Sequence, residues 1–454
     1  MNQPVSLSRR ARRILEKRGW RFDWMWIHLP TLLRRQLFRI PLYVDTKTLM
    51  QSQWCSRKDI SSLTRSRLND LFRHASTIPL WQDLFRRTGL DASAWNWEQF
   101  RKLPVISRAT YTGLATEYFT DTTYLSRSHT DHTSGSTGRP FEFFFDWGAE
   151  LRSFAVCERM FRTATHGERL PVVTMRARHK IGFAFRNVYF FYIRGYNSIK
   201  YRLEELATLL KNFPQGVILY GFASSFIELA RQASAAEYIL PIRAIVSSGE
   251  GICQSERDVI EQKLHTTLYS AYATRELGWL AYECERHALH INEEWAYVEI
   301  VDGGGAPVPD DTEGRIVVTP FDNRVMPMIR YDSGDRGTIV STRCPCGRTL
   351  RTMRVLGRQA EIIIFDDGRS VSLLDISVVF DAFSGAIRQY QIQQTGTYTF
   401  VIYVIPGPTF DEQNEALRAM LIRVIHENAQ LEWQPVDEIE SAASGKAVYF
   451  KRLF

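Results

Sequence analysis

Thr133-Ser134-Gly135-Ser136-Thr137-Gly138-Arg139-Pro140 is the stretch from which the rest of the chain can be read. Hydroxyl side chains interleave with two glycines, and a cation and a proline close the run. Glycine permits positive φ and a close approach of backbone to ligand. Hydroxyls and freed N–H groups can then converge on phosphate oxygens, with Arg139 adding charge. The aromatic run Phe141-Glu142-Phe143-Phe144-Phe145 that follows predicts a flanking strand. A polar hairpin turn is the plainer reading of such a run, so the loop needs support from elsewhere in the chain.

The 454 residues allow two or three domains and a large core. A hydrophobic content of 44% and a charged content of 24% fit a water-soluble globular protein. No apolar run is long enough to cross a bilayer. The opening residues lack the apolar core and small-residue cleavage site of a secretory signal, which predicts a cytoplasmic protein. Of the net charge of +7, residues 1–40 carry +8 (ten Arg and Lys against Glu16 and Asp23), leaving the remainder at −1. Basic character is therefore local, and a nucleic-acid partner is not expected. In that segment the cations alternate with Trp20, Trp24, Trp26, Leu33 and Leu37. This pattern suits a helix lying on an anionic membrane surface or on a protein partner, the alternative being a solvated helix packed on the body. A peripheral position at the inner membrane surface is the second expectation for its location.

Apolar periodicity predicts helices over residues 58–76, 148–164, 204–212, 224–233 and from about 254. Strands are expected at 170–175, 217–220, 243–246 and 268–272, the third stopping at Ser247-Ser248-Gly249-Glu250-Gly251. Alternating strands and helices argue for a large α/β domain built on open sheets, with ligands at the carboxyl edge. Beyond Leu356-Gly357-Arg358 the texture becomes that of a small α+β unit. It has a hairpin around Asp366-Asp367-Gly368, a helix at 374–384, strands at 387–394 and 398–405, and a helix at 411–428. The expected division is a basic segment over 1–45, a large domain over 46–356 and a small mobile domain over 357–454.

Several later stretches join the opening loop in one order. These are Ser248-Gly249-Glu250, Tyr272-Ala273-Thr274-Arg275-Glu276, the run Met326-Pro327-Met328-Ile329-Arg330-Tyr331-Asp332-Ser333-Gly334-Asp335, Leu356-Gly357-Arg358 and Ser444-Gly445-Lys446-Ala447. Together they resemble the adenylate-forming acid–thiol ligases, most of all the phenylacetate–CoA ligase branch with its CapK-type proteins. The resemblance implies ATP-dependent, Mg2+-dependent activation of a small-molecule carboxylate to an acyl-adenylate, followed by transfer to CoA or a carrier-protein thiol. It makes residues 133–139 (Thr133, Ser134, Gly135, Ser136, Thr137, Gly138, Arg139) the phosphate loop. Ser248, Gly249, Glu250, Tyr272 and Ala273 would line the nucleotide, Asp335 would hold the ribose hydroxyls and Arg358 would contact ribose or phosphate. Glu276 would ligate magnesium, while Lys446 would reach in from the small domain, with Arg275 beside them as a catalytic residue. Surface carboxylate, turn-forming Asp and solvated Lys are the plain alternatives for Glu276, Asp335 and Lys446.

Thiolates and imidazoles at Cys344-Pro345-Cys346 and at Cys284, His287 and His290 suit a closed, structural tetrahedral zinc site. The resemblance favours Cys284, His290, Cys344 and Cys346, with His287 as the alternate ligand. Free buried thiols are the other reading, and Cys55, Cys157 and Cys253 read as structural. Three departures from the family pattern stand out: Arg139 for a lysine, Ala273 and Arg275 for a glycine and a hydroxyl residue, and no acid directly after Arg358. They put transfer to CoA in more doubt than adenylation. An amine, a hydroxyl or a carrier protein in polysaccharide or secondary-metabolite assembly is the alternative acceptor, and a non-catalytic scaffold the third reading. Aromatic residues near 219–223 and 246–249 point to an apolar or aromatic acid. A monomer or homodimer is expected.

Overall fold

The computed structural model describes residues 42–125, 128–132, 141–175, 188–191, 203–235, 238–358, 363–367, 369–371, 373–383, 385–439 and 448–454. The basic segment 1–40, the loop residues Thr133 to Pro140, and Ser444 to Ala447 with Lys446 lie outside the described residues.

Two helices open the described chain, α1 (Leu42–Ser52) and α2 (Arg57–Ala75). Ser56 caps α2 by accepting the N–H of Asp59, whose carboxylate accepts the N–H of Ser56 in return, so two orphan donors are met at once. Ile60, Leu68, Leu71 and Phe72 form the buried face that the helical period predicts. α3 (Pro79–Thr88) starts on a proline and stops at Gly89, whose φ of 68° favours a residue without a Cβ. α4 (Trp97–Lys102) then leads to the extended Leu103. A hairpin of β1 (Ser128–His132) and β2 (Glu142–Asp146) brackets the loop, with His132 opposite Glu142. Asp146 caps α5 (Trp147–Ala164).

Among the described residues the central sheet has eleven strands. Its parallel half comprises β3 (Val172–Met175), β4 (Val188–Phe191), β5 (Val217–Gly221), β6 (Ile242–Ser248) and β7 (Leu268–Thr274). The crossover helices are α6 (Leu203–Leu210), α7 (Ala223–Ala235) and α8 (Gln254–Leu264). Period-two alternation explains the layering. Val173, Leu219 and Ile245 pack under α6, α7 and α8, while Val172, Ile218 and Ala244 face Cys157, Met160 and Phe161 of α5. Both faces are covered, as parallel strands require.

From β7 onward the sheet runs antiparallel through β8 (Gly278–Glu283), β9 (Leu289–Ile291), β13 (Thr352–Arg358), β12 (Tyr331–Val340), β11 (Gly314–Pro320) and β10 (Ala296–Val301). The sequence reading did not find this half. Its strands follow one another without helices, so the alternation that exposed β3 to β7 is missing. Two boundaries also move. β6 continues through Ser247 and Ser248 and turns only at Gly249 (φ 92°), and β7 continues to Thr274, so Ala273 is a strand residue opposite Trp279.

The carboxy-terminal unit has the small hairpin β14 (Ile363–Ile364) and β15 (Ser370–Val371). A four-stranded sheet orders β18 (Gln430–Pro435), β17 (Thr399–Pro406), β16 (Ile387–Gln394) and β19 (Phe450–Arg452). Helices α9 (Leu373–Ala382) and α10 (Phe410–Ile425) contribute Ile376, Val379, Leu417 and Leu421 to its separate core. α10 ends three residues before the expected limit. His426 takes an extended backbone, and its Nδ1 accepts the N–H of Asn428. Arg231 of α7 donates to the carbonyl of Arg388, joining this unit to the large one (3.0 Å).

Candidate active site and metal centre

The carboxyl ends of β6 and β7 lie side by side, Ser248 being the Cα partner of Ala271. At the end of β6, Glu250 accepts hydrogen bonds from the N–H (3.0 Å) and hydroxyl (3.1 Å) of Ser224 at the start of α7. This contact fixes the turn beyond β6, and Ser224 is a supporting residue that the sequence reading passed over.

At the end of β7, Tyr272 donates to Asp335 Oδ2 at 2.7 Å. The two residues stand on strands four places apart in the sheet order, so the antiparallel half curls back on itself to bring them together. Leu280, Ile291, Val298, Ile316, Val318 and Met353 fill the interior of that curl. Asp335 is buried, and its N–H donates to Ser333 Oγ (3.2 Å). Arg358 is its cross-strand partner on β13, with Nε 3.9 Å from Oδ1.

Glu276 sits in the tight turn that joins β7 to β8. Burial raises its pKa, outweighing the hydrogen bonds and the nearby Arg358 that lower it. Burial and the Asp335 carboxylate hold the Tyr272 phenol well above its usual range, and burial followed by Glu276 does the same for Tyr331. Tyr331 thus belongs to the surroundings of Glu276. The signal was present, since it lies within the quoted run that ends at Asp335. Four predicted residues therefore converge: Tyr272, Glu276, Asp335 and Arg358. Arg275 points to the hairpin instead, where its guanidinium pairs with Asp131 of β1. Thr133 through Arg139 and Lys446 fall outside the described residues, so their positions in this site rest on the sequence reading.

Cys284, His290, Cys344 and Cys346 form a second centre, their ligand atoms all within 4.8 Å of one another. Cys284 Sγ lies 3.7 Å from Cys344 Sγ, and Cys346 Sγ lies 3.3 Å from His290 Nε2. Tetrahedral zinc with bonds of about 2.3 Å to sulfur separates its ligands by roughly 3.8 Å, so this donor set fits that ion. A sulfur–sulfur distance of 3.7 Å is far beyond a disulfide. Backbone N–H groups of Arg286 and Arg348 donate to Cys284 and Cys346 Sγ, and Gly347 turns the knuckle at φ 84°.

His290 Nδ1 donates to the carbonyl of Leu350 (2.9 Å), which aims Nε2 at the thiols. Burial pushes the Cys284 thiol up to about 12 and the His290 imidazole down to about 4. His287, the alternate ligand, lies outside this cluster. Its Nδ1 faces Glu283 (3.1 Å) and Arg257 (3.0 Å), and its ring stacks on Tyr269.

Comparison with known proteins agrees with this architecture. Residues 363–452 match the family model of the CapK C-terminal domain. The phenylacetate-coenzyme A ligase of Thermus thermophilus is 27% identical over 197 residues, covering 42% of this chain and 44% of that protein. The Escherichia coli phenylacetate-coenzyme A ligase is 28% identical over 170 residues, 36% of this chain and 38% of that protein. The chain thus spans less than half the length of the curated relatives it matches. The crystal structure of 2-hydroxyisobutyryl-CoA ligase in the postadenylation state, in complex with 2-HIB-AMP, superposes with a TM-score of 0.72 at 18% identity, covering 87% of this chain and 90% of that one.

The fold is that of the adenylate-forming ligases. In sequence, its carboxy-terminal residues are similar to the CapK C-terminal domain, and parts of the chain are similar to phenylacetate-coenzyme A ligases.

Proposed function

We propose that the chain activates a carboxylic acid with ATP to an acyl-adenylate and then passes the acyl group to the thiol of CoA. The observation that carries this reading is the convergence of Tyr272, Glu276, Asp335 and Arg358 at the carboxyl end of β7, in this fold. A carboxylate acylates poorly because oxide is its leaving group. Attack of its oxygen on the α-phosphorus of ATP breaks the bond to the β-phosphate and expels pyrophosphate, and the thiolate later displaces AMP from the carbonyl. Two anions must meet in the first step, so positioning and charge stabilisation carry the catalysis.

In this reading Asp335 accepts the ribose hydroxyls while the phenol of Tyr272 holds its carboxylate in place. Arg358 stands over the same carboxylate from β13 and contacts ribose or phosphate. Glu276 would hold magnesium, an ion that favours oxygen ligands and would supply positive charge against the phosphates. The loop 133–139 grips the outer phosphates, and Lys446 comes from the small domain to the reacting oxygens. Zinc on Cys284, His290, Cys344 and Cys346 plays a structural part. For the acid, Phe222 and Ala223 are buried at the strand edge, and Tyr220 packs 5.8 Å from the half-buried Trp279. This supports an apolar or aromatic carboxylate.

The test is carboxylate-dependent exchange of labelled pyrophosphate into ATP across a panel of acids, followed by thioester formation with free CoA. Exchange without thioester would move the acceptor to a carrier protein, amine or hydroxyl. No exchange with any acid would refute the activation reading.

A further inference from the structure

The ion pair between Arg275 and Asp131 joins two elements of the nucleotide site that are far apart in sequence. Arg275 is the first residue after β7 and the immediate neighbour of Glu276. Asp131 stands opposite Phe143 in the hairpin, two residues before the loop begins at Thr133. Asp131 Oδ1 also accepts the N–H of His132 at 2.9 Å, so the carboxylate is tied to its own strand. The hairpin in turn is tied to the body, His129 Nε2 lying 3.9 Å from Glu150 of α5. Arg275 therefore reaches from the magnesium-binding turn to the foot of the phosphate loop.

Solvent access decides what such a pair can do. The side chains are 37% and 23% exposed, so water screens the attraction and the pair is weak. A guanidinium offers five donors in a planar fork that matches phosphate as well as carboxylate. Polyphosphate carries more charge than one carboxylate and would draw the fork away from Asp131.

We propose that Arg275 is a ligand for the outer phosphates of ATP, held in reserve on Asp131 and released to the nucleotide when it binds. Asp131 is then a competitor that weakens ATP binding while keeping the arginine beside the site. This inference rests on the activation reading above, and it assigns Asp131 a role in nucleotide affinity.

The test is equilibrium dialysis of labelled ATP with magnesium, and of AMP, against the full chain and its variants. Asp131→Asn removes the competitor and is expected to tighten ATP binding about threefold, the scale of an exposed ion pair. Arg275→Met is expected to weaken it by about tenfold or more, the scale of a charged hydrogen bond. Arg275→Lys keeps the charge without the fork and should fall between the two. AMP lacks the outer phosphates, so its affinity should be the same in all forms. Matching melting temperatures will show that these exposed substitutions leave the fold intact. Asp131→Asn that weakens ATP binding would make the pair a structural latch and overturn the exchange, as would no change in either variant. A wild-type chain that binds no ATP overturns the activation reading and the exchange with it; normal wild-type binding with the wrong variant pattern overturns the exchange alone.

Discussion

Tyr272 and Asp335 meet through one 2.7 Å hydrogen bond that closes the curled half of the sheet at the proposed nucleotide site. Burial and the Asp335 carboxylate oppose ionisation of the phenol, which favours it as the donor. Tyr272→Phe removes that donor and leaves a buried carboxylate with one partner fewer. A hydrogen bond to a charged group contributes about 1.5–3 kcal/mol, so affinity for ATP should fall by about tenfold or more. The turnover at saturating ATP should change less, since the proposed role of Tyr272 is to position Asp335. Steady-state kinetics with ATP varied will check this split, and an unchanged KM for ATP would remove the positioning role.

Glu276 should be costly to stability and necessary to activity. Burial raises its carboxyl pKa in the folded chain above the unfolded value. Below the ordinary carboxylate range both states are protonated and no penalty exists. As pH rises through the folded value, ionisation favours the unfolded chain and stability is lost. Glu276→Gln should therefore melt at a higher temperature than wild type at neutral pH, with the gap closing near pH 4. The same variant should lose about 100-fold or more in pyrophosphate exchange, the scale seen when a group that stabilises transition-state charge is removed. Thermal melts in steps of pH check the first half of this prediction, and exchange assays the second.

Zinc analysis of freshly purified protein should give one ion per chain. Cys284→Ser or Cys346→Ser should lower that content and destabilise the region around β8, β9 and β13, because structural zinc contributes folding free energy directly. Metal-free protein at full stability would mean that the four side chains are free thiols and an imidazole. His287→Ala leaves the ligand set intact and should keep its zinc.

The parallel half was legible because each strand is an apolar run closed by a glycine or an acid and followed by an amphipathic helix, as at Val217–Gly221 and Ala223–Ala235. β8 to β13 were not, since no helices separate them, their burial follows no regular alternation, and one of them, β9, has only three residues. Cys284, His290, Cys344 and Cys346 could be chosen because thiolate and imidazole spacing is a strong signal. The family resemblance favoured His290 over His287, and the fold supplies the physical reason, turning one ring toward the thiols and the other to Glu283. Tyr272, Asp335 and Arg358 could be placed on one nucleotide through the family resemblance, but the direct contact between them could not be foreseen. It depends on the closure of a sheet whose second half carried no sequence signature. Asp131 gave no signal at all, because an acid in a short polar strand has many ordinary explanations.

Beneath the site lies a buried ion pair whose energetics can be separated from the chemistry. Arg159 of α5 is fully buried and bonds Glu294 at 2.8 and 3.0 Å, Asn292 at 2.5 Å and the carbonyl of Leu49 in α1 at 3.0 Å. Its Nε has no hydrogen-bond partner among the described residues, so the network is incomplete. Its guanidinium also lies 5.1 Å from the ring of Tyr282, whose hydroxyl donates to Gln53. Gln53 in turn accepts from Arg348, two residues from Cys346 of the candidate zinc site. Arg159→Met should cost about 3–5 kcal/mol, because it strands the Glu294 carboxylate in the interior. Arg159→Met combined with Glu294→Leu should be less destabilised than Arg159→Met alone, because neither charge then needs a partner. Urea denaturation of the wild type, Arg159→Met, Glu294→Leu and the double variant decides the matter. Additive losses would show that the pair has no coupling. Recovery in the double variant, with zinc content unchanged, would show that this network positions α1 against α5 independently of the metal.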